Sequence, residues 1–290
     1  GHMFLLHDNY VDIYAHTPSF SPERTVLDLS GIRPENCEWL GGRQQWLCPV
    51  RTLPLIERNL SEVQRRLQPS GTYLDCFTFS HLRECYDQSH LCSRADARQA
   101  WTEIFAYCQQ MGWATSSEGG ADWAIPVMDF CWSVYPALCP FDLKEQLQGP
   151  FGDPIPLYNL VWHDCIVVPS YIVQDGPIEE RLWPLLWGGI PSIRLGSFHP
   201  DGMFKTDELT LSEIDFVRSL QPLIDLSARV GFEEMVSLEF LDSQRKVQRT
   251  TFADGTQVVV DFDRKDYAIT YPESEPQVVL YDLEPVTSDC

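Results

Sequence analysis

An α/β fold is what the sequence predicts, and three observations carry that expectation. Strand-like and helix-like segments alternate through about residue 232. The pattern then switches to a period of two over residues 233–284, and Asp254-Gly255 marks a tight hairpin inside that stretch. With 290 residues and 44% hydrophobic content, one large domain (3–232) and a small antiparallel β domain (233–284) are affordable. The opening Gly-His-Met reads as a cloning scar and carries no fold information.

Taken in order, the first segment, MFLLHDNYVDIYAH, starts apolar and ends polar, as a barrel strand does at its C-terminal rim. A loop with Pro18, Pro22 and Pro34 follows. Leu53, Ile56, Leu60, Val63 and Leu67 stand at helical spacing, and Pro69-Ser70-Gly71 ends that helix. GTYLDCFTF (71–79) reads as a buried strand. Ser93 is the N-cap of a helix through Ala97, Trp101, Ile104, Phe105 and Cys108, which Gly112 stops. WATSSEGGADW (113–123) is the next strand and loop. Ile155–Pro169 reads as a strand, Pro177–Trp187 as a helix, and Gly188–Ile193 leads into another strand. Pro222 predicts a kink or break in the amphipathic helix Leu211–Val230. Five period-two strands close the chain: Val236–Leu241, Lys246–Phe252, Gln257–Phe262, Tyr267–Tyr271 and Gln277–Tyr281, with a frayed tail from Glu284. Only about five or six strands precede residue 230, where a closed barrel needs eight.

Composition narrows the function. A formal charge of −21 argues against nucleic acid and anionic lipid as partners, since both require clustered Lys and Arg. No apolar run reaches the roughly 18–20 residues that span a bilayer. The expected partner is a neutral substrate, and the nine Trp suit sugar faces as well as they suit a core. None of the ten cysteines forms a CxxC pair, which speaks against a zinc ribbon, and several sit in apolar segments as small hydrophobes. Mostly reduced thiols favour a cytoplasmic over a secreted setting, with Cys37–Cys48 and Cys85–Cys92 open as alternative bridges.

Two segments share a form that suggests chemistry: an apolar strand ending in one carboxylate. They are Tyr73-Leu74-Asp75 and Ala114-Thr115-Ser116-Ser117-Glu118. Barrel strands present catalytic groups at their C-terminal ends, and glycoside hydrolysis needs two carboxyls, one to attack the anomeric carbon and one to protonate the leaving oxygen. An Asp closing a strand also serves as an ordinary helix cap or turn residue.

The runs FLLHDNYVDIY, GTYLDCFTF, SSEGGADWAIPVMDF, IPLYNLVWHDCIVV and VQRTTFADGTQVVVDFDRKDYAI, in that order, resemble glycoside hydrolases acting on α-linked N-acetylgalactosamine. The likeness is greatest to the bacterial exo-acting α-N-acetylgalactosaminidases and an allied uncharacterised bacterial group, and more distant to the endo-acting family.

The resemblance implies a (β/α)8-type TIM barrel followed by a β domain, and a retaining double displacement with Asp75 as nucleophile and Glu118 as acid/base. It places His7, Asp8 and Asn9 at the sugar pocket, with Asp122, Trp123, His163 and Asp164 from later loops. His7 and His163 serve equally as core histidines, Asp8 and Asp164 as helix caps, and Trp123 as packing. The chain starts where the family's barrel is already under way, so the expectation is a barrel incomplete at its N-terminus, whose open edges invite homo-oligomerisation. No cofactor is required; the resemblance leaves room for Ca2+ on oxygen ligands near the pocket, although no EF-hand loop is present. The competing reading is a truncated carbohydrate-binding or structural remnant that has lost catalysis.

Overall fold

The structure, a computed structural model, describes residues 2–132, 154–172, 178–193 and 210–272, with Gly176 and the backbone of Val279–Leu280. The chain forms two compact units, Gly1–Trp132 and Ser133–Cys290, so the boundary expected at 232/233 lies inside the second. Among the described residues no helix is long and apolar enough to cross a membrane.

The first unit is built on four parallel strands: β1 (Leu5–Asn9), β5 (Gly71–Asp75), β6 (Ala114–Glu118) and β7 (Phe130–Trp132), in the order β1-β5-β6-β7. Helix α1 (Leu53–Leu67) precedes β5, with Pro54 in its first turn, where its missing N–H costs nothing. Its apolar stripe buries Leu55, Ile56 and Leu60, and it ends at Gln68 in the left-handed conformation (φ 48°) just before Pro69. Helix α2 (Arg94–Gln110) joins β5 to β6 and begins with a capping box: Ser93 accepts from the Asp96 N–H and Asp96 reaches back. The Leu53–Leu67 and Ser93-capped helices, and the parallel pairing of the strands ending at Asp75 and Glu118, are as the sequence predicts. Gly71 lets the two strands close up, since a Cβ there would fall on the Ala114 carbonyl oxygen.

The segment expected to be a loop instead supplies two strands of a small antiparallel sheet, whose third comes from the end of the first expected strand segment. Its strands β2 (Asp12–Tyr14), β3 (Glu35–Trp39) and β4 (Gly42–Trp46) lie in the order β2-β4-β3. Leu40-Gly41 turns the β3–β4 hairpin, with Trp39 facing Gly42 at φ 102°.

In the second unit a short helix α3 (Leu157–Trp162) occupies the region read from sequence as a strand. An apolar run of this length does not distinguish strand from helix by periodicity, and the strand β8 (Pro169–Ile172) starts only at its end. It pairs in parallel with β9 (Ile190–Ile193). Helix α4 (Glu179–Trp187) lies between them, two residues short of the expected start at Pro177, which is outside the described residues. The Pro222 expectation holds: α5 (Leu211–Ser219) and α6 (Gln221–Val230) meet at Leu220.

The antiparallel sheet is a meander, β10 (Met235–Phe240), β11 (Val247–Phe252), β12 (Gln257–Asp261), β13 (Asp266–Thr270) and β14 (Val279–Leu280). The Asp254-Gly255 turn has Gly255 at φ 88° with its N–H on the Phe252 carbonyl. Alternate residues Thr250, Phe252, Val258, Val260, Tyr267 and Ile269 are buried, as period two requires. Cys139 and Cys290, and residues 277, 278 and 281 of the last expected strand, lie outside the described residues.

Candidate active site

Parallel register sets the site's first relationship. Asn9 stands opposite Asp75, Leu74 opposite Ser117, and Glu118 opposite Trp132. Asn9, Asp75, Glu118 and Trp132 therefore form a row along the C-terminal edge of the sheet. A carboxylate oxygen of Asp75, one of Glu118 and the Cys76 sulfur all lie within 4.8 Å of one another.

Hydrogen bonds fix that spacing. Ser117 Oγ donates to the Leu74 carbonyl at 2.6 Å and accepts from the Thr78 N–H at 3.2 Å. Thr78 Oγ1 donates to the Glu118 carbonyl at 2.6 Å, so the loop leaving β5 is tied to the end of β6. Cys76 has φ 61°, a strained setting for a residue with a Cβ that costs about 1–3 kcal/mol. The strain seats its thiol between the carboxylates, 3.6 Å from Glu118 Oε2. Burial first, then the charges of Asp75 and Glu118, push the Cys76 pKa up, so the thiol stays protonated and donates to the pair.

His7, two residues before Asn9, stacks on Tyr73 at 5.0 Å, and Tyr73 meets Trp132 edge-on at 6.3 Å. His7 Nε2 lies 3.8 Å from Asp75 Oδ1. Acceptance by Asp75 raises the His7 pKa; burial opposes this, and the charges of Asp75, Asp8 and Glu118 add to the rise. Asp8 is on the other side of the strand, where burial raises its pKa while Tyr10 and the Asn9 N–H partly hold the carboxylate.

A cavity of about 380 Å³ opens beside Asp75, lined by His7, Asp8, Asp12, Trp39 and Arg58 among others. Asp12, Trp39 and Arg58 were not legible as site residues in the sequence. Asp12 Oδ1 accepts from Gln44 Nε2 and Oδ2 from Asn36 Nδ2, both at 2.7 Å, so two neighbouring strands aim one carboxylate. Burial raises the Asp12 pKa, Asn36 lowers it, and Asp75 raises it again. The one available signal was period-two spacing in DIY and GRQQW, too short to stand out.

Asp122 and Trp123 of the first unit do not line this cavity. Asp122 is exposed and accepts from the Trp123 N–H at 2.8 Å. Trp123 packs on Trp101 and Phe105 of α2, at 6.2 and 6.4 Å between ring centres, the contacts its packing role would make. His163 and Asp164 belong to the second unit. There His163 is buried with its two ring nitrogens 2.6 and 3.0 Å from the Glu233 and Gly188 carbonyls, the pattern of a core histidine. Asp164 is exposed beside Cys165. The Asp75–Cys76–Glu118 group does not fit calcium: two carboxylates and a soft thiol fall short of roughly six to eight oxygen ligands.

No family model and no curated protein matches the chain. Solved structures do, and they bear out the resemblance read from the sequence. The alpha-N-acetylgalactosaminidase of Bifidobacterium bifidum in its GalNAc complex is 32% identical over 92% of this chain, with a TM-score of 0.74. Its Gal-NHAc-DNJ complex gives 33% identity and a TM-score of 0.76 over the same share, and a quadruple mutant gives 32% and 0.75. The chain spans 42% of the length of those structures.

Proposed function

We propose that this chain is the carboxylate-bearing part of a retaining α-glycosidase whose substrate is an α-linked sugar of the N-acetylgalactosamine type. The observation that carries the reading is the placement of Asp75 and Glu118 at adjacent strand ends with carboxylate oxygens within 4.8 Å. Double displacement uses carboxyls roughly 5–5.5 Å apart, whereas an inverting pair needs roughly 6.5–9.5 Å to admit a water. The Bifidobacterium bifidum likeness adds the sugar, since that protein is an alpha-N-acetylgalactosaminidase with a GalNAc complex.

Asp75 faces the cavity and acts as the nucleophile on the anomeric carbon. Glu118 donates a proton to the departing oxygen, then takes one from the water that releases the sugar. Asp8 and Asp12 are oriented acceptors for sugar hydroxyls, and the cavity is within the roughly 300–1,000 Å³ of small-molecule sites. The four parallel strands are read as neighbouring strands of a (β/α) barrel, with residues 3–232 its catalytic domain and 233–284 an appended sheet.

The test is turnover of an aryl α-N-acetylgalactosaminide by the full chain, with the product anomer followed by NMR. Release of the α-anomer first supports the reading. Binding of N-acetylgalactosamine without turnover favours the remnant, and first release of the β-anomer excludes the retaining mechanism.

A further inference from the structure

Away from the carboxylates, three cysteines and a histidine converge in a small apolar core. Cys48, Cys85 and His90 are buried, and their ligand atoms lie within 4.8 Å of one another. Cys92 is buried in the same core, among Val26, Ala97 and the partly buried Leu27 and Val50. Its backbone pairs directly with Cys85 in an antiparallel bridge, with N–H···O bonds of 2.8 and 2.9 Å. Directly opposed residues project from the same face, which sets Cys92 next to Cys85, with its own Sγ 3.4 Å from the Ser93 carbonyl oxygen and 3.8 Å from that of Arg83.

These contacts suit bare thiols poorly. Cys48 Sγ finds the His90 carbonyl only at 3.9 Å, and Cys85 Sγ lies 3.4 Å from His90 Nδ1. The Leu27 N–H points at Cys85 Sγ at 3.3 Å, a donor that favours thiolate. His90 Nε2 is buried without a hydrogen-bond partner and faces Asp87 Oδ2 at 3.5 Å. A carboxylate behind the outer nitrogen, with the inner nitrogen aimed at sulfur, is the arrangement that orients a metal-bound imidazole.

We propose that Cys48, Cys85 and His90 hold a structural zinc ion, with Cys92 turning in as the fourth ligand and Asp87 as the carboxylate behind the His90 imidazole. Three thiolates and one imidazole in a closed, buried set match zinc's tetrahedral preference. Binding Zn2+ releases the three thiol protons to solvent and leaves the site with one net negative charge. No CxxC signature is needed, because the fold supplies the spacing: Cys48 follows β4, and the other three come from the loop between β5 and α2. The ion would pin that loop, which begins at Cys76 beside Asp75, to the segment around Leu27 and Cys48. The proposal is independent of the glycosidase reading.

The test uses the full chain, purified without chelator and assayed for metal by mass spectrometry. One zinc per chain is expected, lost in Cys48→Ser and in His90→Ala but retained in His90→Cys and in Cys165→Ser, which changes an exposed thiol. If the serine variant does not fold, the wild type still decides. Chelator-stripped chain titrated with Co(II) should develop thiolate-to-cobalt charge transfer and strong tetrahedral d–d bands. A folded wild-type chain without stoichiometric metal and without those bands overturns the proposal. So does a disulfide among Cys48, Cys85 and Cys92 in the non-reduced peptide map.

Discussion

Ser117 donates its hydroxyl to the Leu74 carbonyl at 2.6 Å, one residue before each of the two carboxylates. Both groups are fully buried, so truncation leaves an acceptor without its donor. Ser117→Ala should cost about 1–3 kcal/mol in urea denaturation. It should also lower kcat more than it raises KM, because the carboxyl spacing loosens while the cavity wall stays. An unchanged kcat in a destabilised variant would show that this bond serves stability alone.

The carboxylate pair makes separable predictions. Asp75→Asn should reduce kcat on aryl glycosides by several orders of magnitude with an unchanged melting temperature, since its side chain is partly exposed. Glu118→Gln should spare the first step for good leaving groups and slow the second, giving a burst of aglycone in stopped-flow. Comparable slow turnover by both variants, without a burst, would assign the nucleophile elsewhere.

His7 carries the pH dependence. Its folded pKa is raised by Asp75, so its contribution to stability is fully present below the unfolded value near 6.5 and is lost as pH rises through the higher folded value. The stability difference between wild type and His7→Gln should therefore be largest in mild acid and fade in the alkaline direction. The His7 side chain is 67% exposed, so solvent screening keeps the effect small. The His7 titration followed by NMR should move down in Asp75→Asn; an unmoved curve would remove Asp75 as the cause.

Trp123 separates packing from binding. It meets Trp101 and Phe105 of α2, so Trp123→Ala should lower the melting temperature while leaving KM within about twofold. A tenfold rise in KM with little loss of stability would restore the platform role that the sequence suggested.

What the sequence revealed depended on how a signal was distributed. The α2 helix was legible because Ser93, the Ala97–Cys108 stripe and Gly112 agree along contiguous residues. The Asp254-Gly255 hairpin was legible because turn chemistry and alternation coincide. Asp75 and Glu118 stood out by closing similar strands, and parallel register then places them side by side. The small sheet over 12–46 was missed because Glu35–Trp39 is polar and mostly exposed and Gly42–Trp46 is polar over all but its last residue, with no clean apolar alternation in either. The Leu157–Trp162 helix was missed because its apolar residues fit either period. Of the thiol cluster only the nearness of Cys85 and Cys92 was legible, since Cys48 joins them only through folding.

Asp12 is the residue on which the small sheet bears most directly. Its carboxylate lies in the cavity with Asp75, and each oxygen already accepts one amide N–H, from Gln44 and from Asn36. A carboxylate has about four lone-pair sites, so two remain to accept sugar hydroxyls. Replacing it by Asn turns one oxygen into an NH2 donor that faces a neighbouring amide donor, which costs both the internal bond and a substrate bond. Asp12→Asn should raise KM about 10- to 100-fold, the equivalent of one charge-assisted hydrogen bond, while kcat falls less. Gln44→Leu should reproduce part of this by leaving Asp12 free to rotate. The comparison is made on one aryl glycoside at saturating and subsaturating concentrations. If Asp12→Asn leaves KM unchanged but slows kcat as severely as Asp75→Asn, then Asp12 does not hold the sugar and the substrate lies on the other side of Asp75.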